Sequence, residues 1–223
     1  MSESTEVAPA GNNLPVLAPT PAYDLDSSDV SLPRLYLAQD MSGAVQEGNA
    51  DKGDIYSATG GEDPDPEILH VAADEGEGVL FHVIGVNKAL SGKDEDDEFQ
   101  TWQWGDPDAP KDAWKTYHYT VVCPEVEQSV PFKISWSRSQ TPAAKVVNTA
   151  LAKAAQNGIP PHEIAFRLTT FQKSNPKAKG TYTVPRVVTV EAKDADKALA
   201  EGLANSFNGA SQVDVSTGDE PAI

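Results

Sequence analysis

The chain has 223 residues, with 17 Lys and Arg against 34 Asp and Glu, a formal net charge of −17. Its one cysteine, Cys123, excludes an internal disulfide framework and a multi-cysteine zinc site, and a reducing compartment is the simplest reading. No apolar run reaches the roughly 18 residues of a membrane-spanning helix, and the N-terminus lacks the basic and apolar regions of a secretory signal.

Charge is segregated along the chain. Residues 1–110 hold 4 basic and 23 acidic side chains, residues 111–186 hold 11 and 4, and residues 187–223 hold 2 and 7. Local patches govern the local field, so the basic centre keeps nucleic acid among the expected partners despite the net charge.

In chain order, residues 1–31 read as a disordered arm, rich in proline and small polar residues. Leu32–Ala38 is the first ordered segment. A polar turn, EGNADKGD, feeds a short strand ending near Ser57, and Gly60–Glu67 reads as a loop. Ile68–Ala72 and Val79–Asn87 read as strands, followed by an acidic loop over Gly92–Glu98. Phe99–Trp104, Trp114–Val122 and Val130–Arg138 are aromatic and β-branched, which suits strands. Thr141–Asn157 predicts the clearest helix, with Thr141 as cap, Pro142 in the first turn, an Ala-rich interior and Gly158 as the stop. Ile164–Lys173 and Thr181–Val190 predict a hairpin joined by SNPKAKG. A short helix capped by Asp194 runs to about Phe207, and residues 208–223 read as a disordered acidic tail. The expected architecture is mainly β: one domain over residues 32–207, an OB-like curved antiparallel sheet or barrel with a central helix, a hairpin and a short C-terminal helix.

No P-loop, dinucleotide fingerprint or nucleophile elbow occurs. His70, His82, His118 and His162 are scattered, and Cys123 precedes Pro124 with no helix N-terminus to activate it. Its plain reading is a small hydrophobe. The acidic stretches Asp63–Glu67 and Asp94–Glu98 miss the spacing of a calcium loop and read as solvated loops. No enzyme, cofactor or metal site is expected.

The aromatic and basic residues are more informative. Alternation along Trp114–Val122 places Lys115, Tyr117, Tyr119 and Val121 on one face, and Trp114, Thr116, His118 and Thr120 on the other. Along Val130–Arg138 the apolar face reads as core and Lys133 points outward. Along Ile164–Lys173, Arg167, Phe171 and Lys173 point outward. An outer sheet face of this mixture suits single-stranded nucleic acid, because cations follow the phosphates and rings stack on any base. Electrostatic capture is assigned to Lys115, Lys133, Arg138, Arg167, Lys173, Lys177, Lys179 and Arg186, and stacking to members of Trp102, Trp104, Trp114, Tyr117, Tyr119 and Phe171. The competing explanation is ordinary: rings in a two-sided core and lysines at loop tips. The acidic tail, with Asp219, Glu220 and the terminal Ile223, reads as a docking element for a partner or a competitor for a basic groove.

Three segments carry a resemblance. LPRLYLAQDMSGAVQEGNADKGDIYS shows an LPR-x-x-x-x-Q-x-x-S opening followed by GD and a strand. PFKISWSRSQTPAAKVVNTAL shows a strand, a Ser/Thr-rich turn and an A-A-K-x-x-N helix, and KGTYTVPRV shows a further strand. Together they resemble bacteriophage-encoded single-stranded DNA-binding proteins over roughly residues 32–190. The resemblance implies an OB-like barrel and a non-enzymatic role in phage replication or recombination, in the cytoplasm of the infected bacterium. It implies single-stranded DNA as the partner, with phage or host replication proteins at the tail. The tail is similar in kind to those of bacterial single-stranded DNA-binding proteins but lacks their terminal Pro-Phe pair. Self-association is left open, and the rival function is a virion structural or decoration protein with no nucleic-acid affinity.

Overall fold

A computed structural model of the chain describes residues 32–59, 66–72, 78–94, 96–126, 130–174 and 180–208. The strands are β1 (Arg34–Leu37), β2 (Ile55–Ala58), β3 (Glu67–His70), β4 (Val79–Lys93), β5 (Phe99–Gln103), β6 (Trp114–Val122), β7 (Phe132–Ser137), β8 (Ala165–Ser174) and β9 (Thr181–Val190). The helices are α1 (Gly43–Gln46), α2 (Thr141–Gln156) and α3 (Asp194–Asn208).

The strands form one sheet in the order β3-β2-β1-β7-β6-β4-β8-β9, with β5 paired to β4 beside this path. β1 and β7 run parallel and the other pairs are antiparallel. The sheet curls strongly into an open half-barrel, a mainly β, OB-like architecture with few helices.

The core forms where alternating residues of the central strands face one side. Phe81 and Val83 of β4, Tyr119 and Val121 of β6, Phe132, Ile134 and Trp136 of β7, and Phe166 and Leu168 of β8 are all buried there. Helix α2 lays Ala143, Ala144 and Val147 onto them. The helix residues are small where the strand residues are large, which suits close packing of the helix on the sheet. Phe81 stacks on Phe166 at 5.2 Å, and Tyr119 lies 5.2 Å from Trp136. Truncating a side chain such as Trp136 to Ala in this setting costs about 3–5 kcal/mol. On the other side of β4, Leu80 and His82 are buried, and α3 packs against this strand.

Three features differ from expectation. β4 runs for 15 residues, well past Asn87, because β5 and β6 pair with its polar second half from both sides. Its register shifts between Val83 and Gly85, and this bulge resets which residues face the core beyond it. Residues 43–46, with no helical period, form the short α1. At α2 the cap position belongs to Gln140, at the end of a tight turn over Arg138–Gln140, and Thr141 is already helical. Gly158, at φ +69°, follows the helix as expected.

Polar contacts tie the segments flanking β1 and β2 to the β8–β9 edge of the curled sheet. The Gln39 side chain, just after β1, donates from Nε2 to the Thr183 carbonyl (2.8 Å) and accepts from the Thr183 N–H at Oε1 (3.1 Å). The amide thus replaces a peptide unit in pairing with β9. Ser42 holds Gln39 from behind, accepting from its N–H (3.1 Å) and donating to its carbonyl (2.7 Å). In the turn before β2, the Gly53 carbonyl accepts from Thr170 Oγ1 on β8 (2.6 Å). Lys52 donates to the Thr181 carbonyl (2.7 Å) and pairs with Asp40 (2.6 Å). The buried Asp54 carboxylate accepts from the N–H groups of Asp51 (2.9 Å) and Ala72 (2.8 Å). Gly53 has φ +103°, and a Cβ there would lie 2.9 Å from that of Ala72, so glycine is required twice over.

This closure gives a stability prediction. Thr183 is buried, and removing the Gln39 amide leaves its N–H and carbonyl unpaired. Gln39→Ala is expected to lose about 2–3 kcal/mol in urea unfolding. Gln46→Ala on exposed α1 is expected to change by less than about 0.5 kcal/mol. Equal small losses would contradict a closing role for Gln39.

Candidate nucleic-acid interface

The strand register decides which candidate residues share a face. Tyr119 pairs with Ile134, and Thr120 with Lys133. Lys133 therefore lies on the face of Thr116, His118 and Thr120, opposite to Lys115, Tyr117 and Tyr119. The single outer face expected from alternation is two faces.

Along the first of these, burial falls from one end of β6 to the other. Tyr119 is 1% exposed, Tyr117 is half-buried and Lys115 is exposed. Tyr119 is thus a core residue, packed on Trp136 with its hydroxyl against α2, and it offers no ring to a base. Tyr117 stands where the core ends. It lines a shallow, open cleft of about 860 Å³ between α2 and strands β4 and β6. Val86 and Leu151 supply apolar wall, Lys88, Lys145 and Lys153 supply charge, and among the described residues no acidic side chain lines the cleft.

Those three lysines and Asn148 were not among the candidates. A signal was present: Lys145, Thr149 and Lys153 recur at i, i+4 and i+8 on α2, which aligns them on one helix face. Lys88 lies one residue past the expected strand end at Asn87 and pairs with Tyr117 across the ladder.

Beyond the cleft, β5, the end of β4 and the start of β6 make a three-stranded arm carrying cation–ring contacts. On the cleft-side face, Lys115 Nζ stands 4.9 Å from the Trp104 ring centroid, and Trp104 is 48% exposed. Trp102 is half-buried, and a side chain at Gly92 would meet its ring at 3.3 Å. On the opposite face the Arg138 guanidinium lies 3.4 Å above the Trp114 ring, the ring meets Phe99 edge-on at 6.0 Å, and Lys93 sits 5.5 Å from the Phe99 centroid. Stacking a base on that side of Trp114 requires displacing Arg138. Arg138 also holds φ +46°, a backbone state that side chains disfavour.

The remaining candidates are dispersed. Arg167 is engaged by Glu125 in a two-pronged ion pair and donates to the Gly78 carbonyl (3.2 Å). Its planar fork is committed within the protein. Phe171, 48% exposed, Lys173 and Arg186 lie on the β8–β9 hairpin and do not line the cleft. Lys177, Lys179, Asp219, Glu220 and Ile223 lie outside the described residues, as do the arm 1–31 and the tail beyond α3. Cys123 is buried, and burial pushes its thiol up.

No family model, curated protein or solved structure matches the chain.

His118, on the face opposite the cleft, gives a pH prediction. Its Nδ1 is 2.8 Å from Ser135 Oγ, and Nε2 is buried without a partner. Burial, reinforced by the charges of Arg34 and Lys133, brings the imidazole down to about 4. The folded state holds it neutral while the unfolded chain protonates it near 6.5. Its contribution is therefore complete above pH 6.5 and is lost as pH falls toward 4. His82, whose imidazole burial also lowers, acts in the same direction. Urea midpoints are expected to fall across this window, and His118→Gln to fall less. Superimposable curves for the two proteins would contradict the assignment.

Proposed function

We propose that the protein is a non-enzymatic, sequence-tolerant single-stranded nucleic-acid-binding protein. The strand follows the cleft between α2 and β4–β6 and continues onto the arm at Lys115 and Trp104. The observation that carries this reading is the cleft's charge. In a chain with twice as many acids as bases, Lys88, Lys145 and Lys153 gather around Tyr117 with no acidic residue among the described residues of the lining.

The chemistry follows from the parts. Lysines are mobile point charges that track a phosphate chain without reading bases. Tyr117 and Trp104 are rings at the edge of the core, where a π-face is available to any base. The acidic remainder of the molecule repels nucleic acid from other surfaces and favours this one. An OB-like half-barrel is a frequent scaffold for such binding, which supports the reading by analogy. The resemblance to phage single-stranded DNA-binding proteins points the same way, toward replication or recombination in an infected cell.

Titration of fluorescent oligo(dT) followed by anisotropy tests this. Affinity is expected to fall with salt, with little binding to duplex DNA. Replacing Lys145 and Lys153 with Ala is expected to reduce the slope of log K against log salt by about 1.4, at about 0.7 per lost phosphate contact. Trp104→Ala is expected to cost about 1–3 kcal/mol. A folded wild-type protein that ignores oligo(dT) at low salt would remove this function and bring a virion role forward.

A further inference from the structure

We infer that Asn148 is a fixed, uncharged hydrogen-bond donor to a backbone phosphate in the cleft, and that buried Tyr119 is the residue that positions it. The inference rests on the proposed nucleic-acid function and adds a specific contact to it.

Asn148 is the last residue of the A-A-K-x-x-N segment, of which Lys145 is the lysine, and both line the cleft. The Asn148 amide is anchored from the core side. Tyr119 donates its hydroxyl proton to Asn148 Oδ1 at 3.0 Å, and the same hydroxyl lies 3.3 Å from the Ala144 carbonyl one helical turn earlier. Tyr119 is itself immobilised, 1% exposed and packed on Trp136. Burial pushes its phenol up, so it remains a protonated donor at neutral pH. With Oδ1 engaged inward, the Asn148 Nδ2 is the polar atom left for the cleft, and an amide nitrogen only donates.

An acceptor must meet it there. Lys145 and Lys153 flank Asn148 on the same helix, and Lys88 faces them from β4. Three ammonium groups attract an anionic oxygen rather than a base carbonyl. The lysines are long, flexible charges that hold phosphate loosely. The Asn148 amide is short and locked, so it sets where one phosphate sits. This also accounts for a tyrosine hydroxyl in an otherwise apolar core: it points at the helix face that lines the cleft.

A neutral contact and a charged contact leave different salt signatures, which separates this role from the lysines. Counterion release follows from cations meeting phosphates, so losing a neutral donor weakens binding without changing the salt slope. Asn148→Ala, Tyr119→Phe, the double variant and Lys145→Ala would be titrated with oligo(dT) and oligo(dA) over a salt series, with circular dichroism confirming the fold. Asn148→Ala is expected to bind roughly ten- to hundredfold more weakly at every salt concentration, with the wild-type slope. Tyr119→Phe, which keeps the ring, is expected to show part of this loss, and the double variant no more than Asn148→Ala alone. Lys145→Ala should lower the slope.

Wild-type affinity for both Asn148→Ala and Tyr119→Phe, beside a Lys145→Ala that still lowers the slope, would overturn the inference and leave the nucleic-acid function standing. Unequal losses on oligo(dT) and oligo(dA) would overturn the phosphate assignment in favour of a base contact. Additive losses in the double variant would overturn the positioning role of Tyr119. Absence of wild-type binding would overturn the function itself. If Asn148→Ala fails to fold, the isosteric Asn148→Asp, which still accepts from Tyr119, replaces it. A carboxylate facing the strand is then expected to weaken binding by more than tenfold, and unchanged affinity would overturn the inference.

Discussion

The paired hydrogen bonds between the Gln39 amide and the Thr183 backbone tie the chain after β1 to the edge strand β9 of the curled sheet. A side-chain amide carries the same donor and acceptor as a peptide unit, so β9 meets a ladder partner where no strand continues. Ser42, Lys52, Gly53 and Asp54 fix the turns that bring Gln39 into place. Gln39, Ser42, Gly53 and Asp54 are therefore residues of closure. Helix α2 packs on the curled sheet and supplies one wall of the cleft.

From this closure the site follows as the place where the core ends. One face of β6 runs from buried Tyr119 through half-buried Tyr117 to exposed Lys115. Along α2, Ala143, Ala144 and Val147 pack inward while Lys145, Asn148 and Lys153 border the cleft. The same strand and the same helix thus supply both the packing and the candidate binding surface. The β4 bulge contributes by resetting the register, which brings Val86 and Lys88 to the cleft side. The surface there is backed by the packed core on one side and open to solvent on the other.

Much of the fold is legible in the sequence because its signals are local. The aromatic and β-branched runs mark β6 and β9 to the residue, and the Ala-rich stretch stopped by Gly158 marks α2. Alternation correctly groups Lys115 with Tyr117 and Tyr119. It does not say whether that group faces the core, because this depends on pairing with β7 and on coverage by α2, which are distant in sequence. The same limit separates Lys133 from the group and hides the Arg167–Glu125 pair, 42 residues apart. Lys88 is missed for a related reason: the strand is read to end at Asn87, and its continuation depends on pairing with β5 and β6, which come later in the chain.

The central claim is that nucleic acid lies in the α2 cleft and on the Lys115–Trp104 side of the arm, not on the opposite face. Ultraviolet cross-linking of the full-length protein to oligo(dT), with adducts mapped by mass spectrometry, tests that location directly. The account predicts adducts at Tyr117 or Trp104, lost when Lys145 and Lys153 are replaced. Adducts confined to Trp114, His118 or Phe171, insensitive to those lysines, would contradict it.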